Sequence, residues 1–104
     1  MATSRIDQLI AMREKNPRDG RVLFALALEY EKLERWEDTA AVLHEYLELA
    51  DDEGNAWGRL GTALHRLGRT DEAKAALERG IDAANRHSHP TMAAEFAEMI
   101  DDLT

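Results

Sequence analysis

Apolar residues recur every three or four positions along most of the chain, and this spacing predicts amphipathic helices. The pattern is clearest in residues 54–84. Its first helix has one face defined by positions i, i+3, i+4 and i+7: Trp57, Leu60, Gly61 and Leu64. Its second helix has a matching face of small residues beside a large one: Ala73, Leu77 and Gly80.

The small residues on these two faces predict close packing. A glycine inside a helix costs roughly 1 kcal/mol relative to alanine, so Gly61 needs a structural reason. Because it has no side chain, Gly61 lets a second helix approach closely. We therefore expect the two helices to form an antiparallel hairpin.

The turn of this hairpin has its own signals. Gly68 suits a left-handed helix end. Thr70 is the predicted N-cap of the second helix, and Asp71 and Glu72 follow in the first turn, where the helix dipole favours carboxylates.

A weaker copy of the hairpin precedes it at an offset of about 34 residues. Large residues align with large and small with small: Leu23 with Trp57, Leu26 with Leu60, Ala27 with Gly61, Tyr30 with Leu64, Thr39 with Ala73, and Leu43 with Leu77. Glu34 takes the place of the turn glycine Gly68. The chain therefore contains repeat 1, residues 20–50, and repeat 2, residues 54–86.

One further helix is predicted at each end. Residues 4–17 read as an N-terminal capping helix with Ser4 as N-cap, and Asn16-Pro17 ends it because a residue before proline avoids the helical region. Residues 90–103 read as a C-terminal capping helix with one apolar face: Met92, Phe96, Met99, Ile100 and Leu103. These elements predict a single domain over residues 1–104.

The repeat resembles the tetratricopeptide repeat, whose pattern is Trp, two residues, Leu-Gly, two residues and a large apolar residue, with Ala on the second helix. Leu64 replaces the usual Tyr, and Asn85 stands where a Pro commonly ends the repeat. Nearly the whole chain resembles small bacterial proteins built of little else. The resemblance implies an all-α fold of about six helices, in which antiparallel helix hairpins form a right-handed superhelical stack.

Composition excludes several function classes. The net charge of −8 argues against a nucleic-acid partner. Absence of cysteine excludes disulfides and Cys-ligated zinc. The N-terminal residues contain no long apolar segment, so we expect neither a signal peptide nor a membrane span, and a cytoplasmic location.

No pattern in the sequence favours catalysis. His87 and His89 are an incomplete ligand set for a metal, and His44 and His65 read as single solvated surface histidines. The acidic pairs Asp51-Asp52 and Asp101-Asp102 lie at helix ends, where capping and solubility explain them. We expect no enzyme activity, catalytic residue, cofactor or metal.

In the family, the first helix of each hairpin lines a concave groove that binds protein segments. The register places Gly58 there, together with the candidate partner-binding residues: Phe24, Leu28, Lys32, Arg59, Thr62, His65 and Arg66. The family's clamp for a C-terminal carboxylate is predicted to be absent, because only Arg59 is basic among the corresponding positions. Arg59 and Arg66 instead suggest an acidic protein or peptide partner.

Two hypotheses for function follow. The first is a protein–protein interaction module that binds a peptide or protein segment in the groove. The alternative is a self-association module, a homodimer with a structural role, whose interface would be formed by four apolar residues: Phe24, Leu28, Met92 and Phe96.

Overall fold

The computed structural model describes residues 4–103, and within that range all regular structure is helical. This confirms the predicted all-α class. The described residues form six helices: α1 (Arg5–Lys15), α2 (Gly20–Lys32), α3 (Trp36–Leu49), α4 (Asn55–Arg66), α5 (Thr70–Arg86) and α6 (Pro90–Leu103). None of them is long and apolar enough to cross a membrane.

The helices divide into two compact units. Unit 1, Met1–Ala50, contains α1 to α3, and unit 2, Asp51–Thr104, contains α4 to α6. The single domain over residues 1–104 stays a prediction, and residues 1–3 and 104 of that range lie outside the described residues.

Unit 1 is built on the predicted apolar stripe of α2. Ser4 caps α1 as predicted, since its Oγ accepts a hydrogen bond from the Asp7 N–H at 3.1 Å. Asp19 caps α2 by accepting from the Arg21 N–H at 3.1 Å. The core consists of residues from all three helices: Leu9, Val22, Leu23, Leu26, Ala27, Tyr30, Thr39, Ala40, Val42 and Leu43.

Unit 2 confirms the close approach predicted at Gly61. A Cβ atom at this position would lie 2.8 Å from Cγ of Leu77 on α5, closer than two carbon atoms can pack. Ahead of α4, Asp52 Oδ2 accepts hydrogen bonds from the N–H groups of Gly54 and Ala56, at 2.8 and 2.9 Å. The capping role predicted for the acidic pair is therefore confirmed for Asp52.

Three turns end their helices with the same backbone arrangement. Glu34, Gly68 and Ser88 have φ angles of 56°, 77° and 63°, and each is followed by an N–H that donates back across the helix end. In the first turn, for example, the Arg35 N–H donates to the Tyr30 carbonyl at 3.0 Å. This is the Schellman arrangement, in which glycine is the favoured residue. Only Gly68 meets that preference.

The N-cap predicted for α5 is wrong. Thr70 is the first residue of the helix, and Arg69 occupies the cap position without a side-chain hydrogen bond. In the Schellman turn the Arg69 N–H donates to the Leu64 carbonyl at 2.9 Å. Helix α5 therefore begins at Thr70, one residue earlier than the side-chain pattern suggests.

Candidate functional site

Phe96 of α6 is seated between two glycines of unit 2. A Cβ atom at Gly58 would lie 2.6 Å from Phe96 Cε1, and one at Gly80 would lie 2.9 Å from Phe96 Cε2. We call Gly58 and Gly80 the aromatic socket. Phe96 is only 8% exposed. The predicted groove position of Gly58 is therefore wrong, because α6 covers it.

Unit 1 fills the corresponding positions differently. At the repeat offset of about 34 residues, Phe24 corresponds to Gly58 and Tyr46 to Gly80. The rings of Phe24 and Tyr46 contact each other, with centroids 5.2 Å apart. Repeat 1 thus carries its own aromatic residues where repeat 2 has glycines, and α6 supplies the aromatic ring that repeat 2 lacks.

Beyond Phe96, residues of α4, α5 and α6 enclose a pocket of about 330 Å³. Residues of all three helices line it: Gly61, Thr62, His65, Arg66, Leu77, Met99, Asp102 and Leu103. Leu77 and Gly61 are buried, whereas His65, Arg66 and Asp102 are exposed. The pocket therefore has an apolar floor and a charged rim.

This pocket brings together three of the predicted site residues: Thr62, His65 and Arg66. His65 and Arg66 occupy the last turn of α4, where positive charge is favourable next to the helix dipole. Arg59 lies outside the lining of the pocket. Both arginines already take part in interactions with other groups of the protein.

The other three predicted residues lie in unit 1. Phe24 is engaged with Tyr46, as described above. The Lys32 ammonium donates to Glu29 Oε1 at 3.3 Å. Leu28 is half-buried. Their role in binding stays a prediction.

Met99, Asp102 and Leu103 line the pocket but were not among the predicted site residues. A signal was present, because the apolar face of α6 continues past Phe96 to Met99 and Leu103. Periodicity shows that such a face exists, but it does not show which helix it opposes.

A second polar cluster joins the segment before α4 to the turn after α5. His89 Nε2 lies 3.0 Å from Glu53 Oε1, and His87 Nε2 lies 3.3 Å from Asp51 Oδ2. Arg86 Nη1 also lies 3.5 Å from Asp51 Oδ1. In the described part of the chain, no group of three or more potential ligands is arranged to hold a metal ion. We therefore read this cluster as surface polar contacts between the two segments.

Comparison with solved structures supports the fold. The chain titled MamA MSR-1 C2 is similar with a TM-score of 0.67 and 20% sequence identity, over 94% of the present chain. The present chain spans 64% of the length of that solved chain. At this identity the likeness shows the fold alone.

Comparison at the level of sequence is more specific. None of the curated proteins matches the chain. The family model described as Tetratricopeptide repeat matches residues 30–94, more than half of the 104 residues. The matched range includes the turn glycine Gly68, the Gly61 contact with Leu77 and the Phe96-facing glycines of the aromatic socket. The chain therefore belongs to the tetratricopeptide repeat family.

Proposed function

We propose that the protein binds a segment of a partner protein, and that the pocket of unit 2 receives an apolar side chain of this segment. Tetratricopeptide repeats are in general protein–protein interaction modules, and proteins of the family are in general non-enzymatic scaffolds. The observation that carries the proposal is the pocket itself, since it gathers predicted groove residues of α4 around an open apolar floor.

The lining of the pocket suggests the chemistry of the segment. Met99 and Leu103 offer apolar contacts, and a volume of about 330 Å³ accommodates one or two side chains. At the rim, the positive charge of Arg66 attracts a carboxylate. Asp102 on α6 repels a carboxylate that approaches from its own side. The favoured ligand is therefore a segment with a large apolar residue next to an acidic one.

The test begins with a displayed library of random peptides that is selected against the full chain. Binding of the selected peptides is then measured by calorimetry. Thr62→Trp fills the pocket, and we expect it to weaken binding by about tenfold or more, the equivalent of about 1.4 kcal/mol. Ala75→Trp is the matched control, because Ala75 is exposed on α5 outside the pocket. Equal binding by the wild type and Thr62→Trp would rule out the pocket as the site.

Charge reversal tests the acidic partner separately. Arg66→Glu should abolish binding of acidic peptides with little change in melting temperature, whereas Arg59→Glu, outside the pocket lining, should retain most of it. Binding that survives in Arg66→Glu, and in the variant that combines Arg59→Glu with Arg66→Glu, would exclude the arginines as the receptor. Joint loss of binding and stability would indicate that Arg66 has a structural role instead.

Self-association by the four residues named from the sequence receives less support. Phe96 is buried inside unit 2 against Gly58 and Gly80, and Phe24 contacts Tyr46 inside unit 1. The Phe96 ring is therefore not available to a partner in this conformation, whereas Phe24 is only half-buried.

A further inference from the structure

Helix α6 is held at its N-terminal half by side chains that fit into spaces left by glycines. Phe96 occupies the aromatic socket, and the Met92 sulfur lies 2.8 Å from where a Cβ of Gly54 would be. The C-terminal half of α6 borders the pocket instead. The seat of α6 is therefore formed by side-chain contacts with α4 and α5, and these contacts do not require α6 to belong to the same chain.

The turn that connects α6 to α5 is short and strained. Ser88 has a φ of 63°, a region that residues with a Cβ atom seldom occupy. The equivalent position in the α4–α5 turn is Gly68, which adopts its φ of 77° without this penalty. Short hinges under strain promote the exchange of an element between identical copies.

We propose that α6 is exchanged between two copies of this chain, so that Phe96 of each copy fills the aromatic socket of the other. Opening the turn relieves the strain at Ser88 and allows every contact between α6 and the α4–α5 hairpin to form again between copies. It gives up the hydrogen bond from the His89 N–H to the Ala84 carbonyl, at 2.7 Å. It also gives up the contacts of His89 with Glu53 and of His87 with Asp51, which are surface pairs of a type that contributes little to stability.

Pro90 determines the shape of the opened hinge. It is the first residue of α6 and has no N–H group, so α5 and α6 cannot join into one regular helix. In the exchanged dimer the chain therefore bends at residues 87–89, and α6 points away from α5 of its own copy. In the exchanged dimer, Met99 and Leu103 of the pocket come from the partner copy. The proposed peptide-binding function does not require this exchange.

Two complementary variants test the exchange. Phe96→Ala leaves the socket empty and removes the ring, whereas Gly58→Met blocks the socket and keeps the ring. Two copies of the same variant therefore cannot place a Phe96 ring in an open aromatic socket. In a mixture, Phe96 of the Gly58→Met chain can enter the empty socket of the Phe96→Ala chain. We expect native mass spectrometry to detect a heterodimer in the mixture and no dimer in a solution of either variant alone.

The control is the double variant Gly58→Met with Phe96→Ala, which should form no heterodimer with Phe96→Ala. A mixture of the two single variants that remains monomeric while both are folded, as judged by circular dichroism, would overturn the proposal.

A second measurement covers the case in which a single variant does not fold. Wild-type chains labelled with ¹⁴N and ¹⁵N are mixed at high concentration, and mixed-mass dimers are the expected result. Ser88→Gly should lower the dimerisation constant by about fivefold for each of the two hinges, because glycine removes the strain that favours opening. An exclusively monomeric wild type, or a dimer that Ser88→Gly leaves unchanged, would contradict helix exchange.

Discussion

At Gly61 the absence of a side chain sets the distance between α4 and α5. The sequence identified this position because glycine inside a helix needs a reason, and the contact with Leu77 is that reason. Ala27 holds the corresponding position in repeat 1 and is 1% exposed. Small residues in register with a large one on the next helix were therefore a reliable guide to packing.

We expect Gly61→Leu to lower the free energy of unfolding by about 1–3 kcal/mol or more, because overpacking forces neighbouring side chains and backbone to shift. Ala27→Leu should have a similar effect in unit 1. Urea unfolding followed by circular dichroism measures both changes. Ala75→Leu, at an exposed position of α5, is the control that should leave stability nearly unchanged. Full stability of Gly61→Leu would contradict the register of the hairpin.

Glu34 shows where repeat 1 departs from repeat 2. It has a left-handed φ of 56°, in the same region as the φ of 77° that Gly68 adopts in the other turn. The sequence indicated a weaker copy at this point, but it could not show that the backbone keeps the glycine conformation after the glycine is lost. The Schellman bonds around Glu34 explain why, since they satisfy the carbonyls at the end of α2.

Glu34→Gly should therefore stabilise the protein, by up to about 1 kcal/mol, because glycine adopts positive φ at little cost. Gly68→Ala should have the opposite effect by a similar amount. Differential scanning calorimetry of the two variants checks the signs together. A lower melting temperature for Glu34→Gly would mean that the glutamate side chain contributes more than the backbone strain removes.

At the scale of elements, the sequence predicted the bounds of the helices closely but not all of their neighbours. Residues 90–103 were predicted as a helix, and α6 spans Pro90–Leu103. The same pattern wrongly placed Gly58 in the groove. Hydrophobic periodicity identifies an apolar face, but it does not determine which helix packs against that face. The glycines at Gly58 and Gly80 were the missing indication, since in repeat 1 both corresponding positions are aromatic.

We expect deletion of residues 90–104 to expose the face of α4 and α5 that Phe96 and Met92 cover, and so to cause partial unfolding or aggregation. Thermal unfolding and light scattering measure the two consequences. Replacement of Glu95 and Glu98, which are exposed on α6, by Gln leaves the apolar face intact and serves as the control. A truncated chain that stays monomeric with an unchanged melting temperature would show that α6 has no capping role.

For the whole molecule, the sequence was sufficient to predict the family and the fold class, since both depend on patterns that recur along the chain. It predicted only part of the candidate site. Thr62, His65 and Arg66 could be placed on α4 by register, but the pocket also needs Met99 and Leu103, whose position depends on how far α6 stands from α4. The packing of α6 rests on contacts such as those of Phe96 with Gly58 and Gly80, which join distant parts of the sequence.

The predicted single domain can be tested because each unit contains one tryptophan: Trp36 begins α3 in unit 1, and Trp57 lies on α4 in unit 2. In a stack of repeats, neighbouring hairpins stabilise one another and unfold together when that coupling is strong. We therefore expect fluorescence and circular dichroism to give coincident urea midpoints in Trp36→Phe, in which Trp57 is the probe. The same should hold in Trp57→Phe, in which Trp36 is the probe.

Comparison of the two probes within each variant makes the test independent of any stability change that the substitution itself causes. Circular dichroism reports helices of both units, whereas the remaining tryptophan reports the unit in which it lies. If the units unfold separately, the two signals diverge in at least one variant, and the fluorescence transition shows a smaller denaturant slope because less surface is exposed in it. Coincident midpoints and equal slopes in both variants would establish one cooperative domain. Divergence in either variant would instead divide the chain near Ala50.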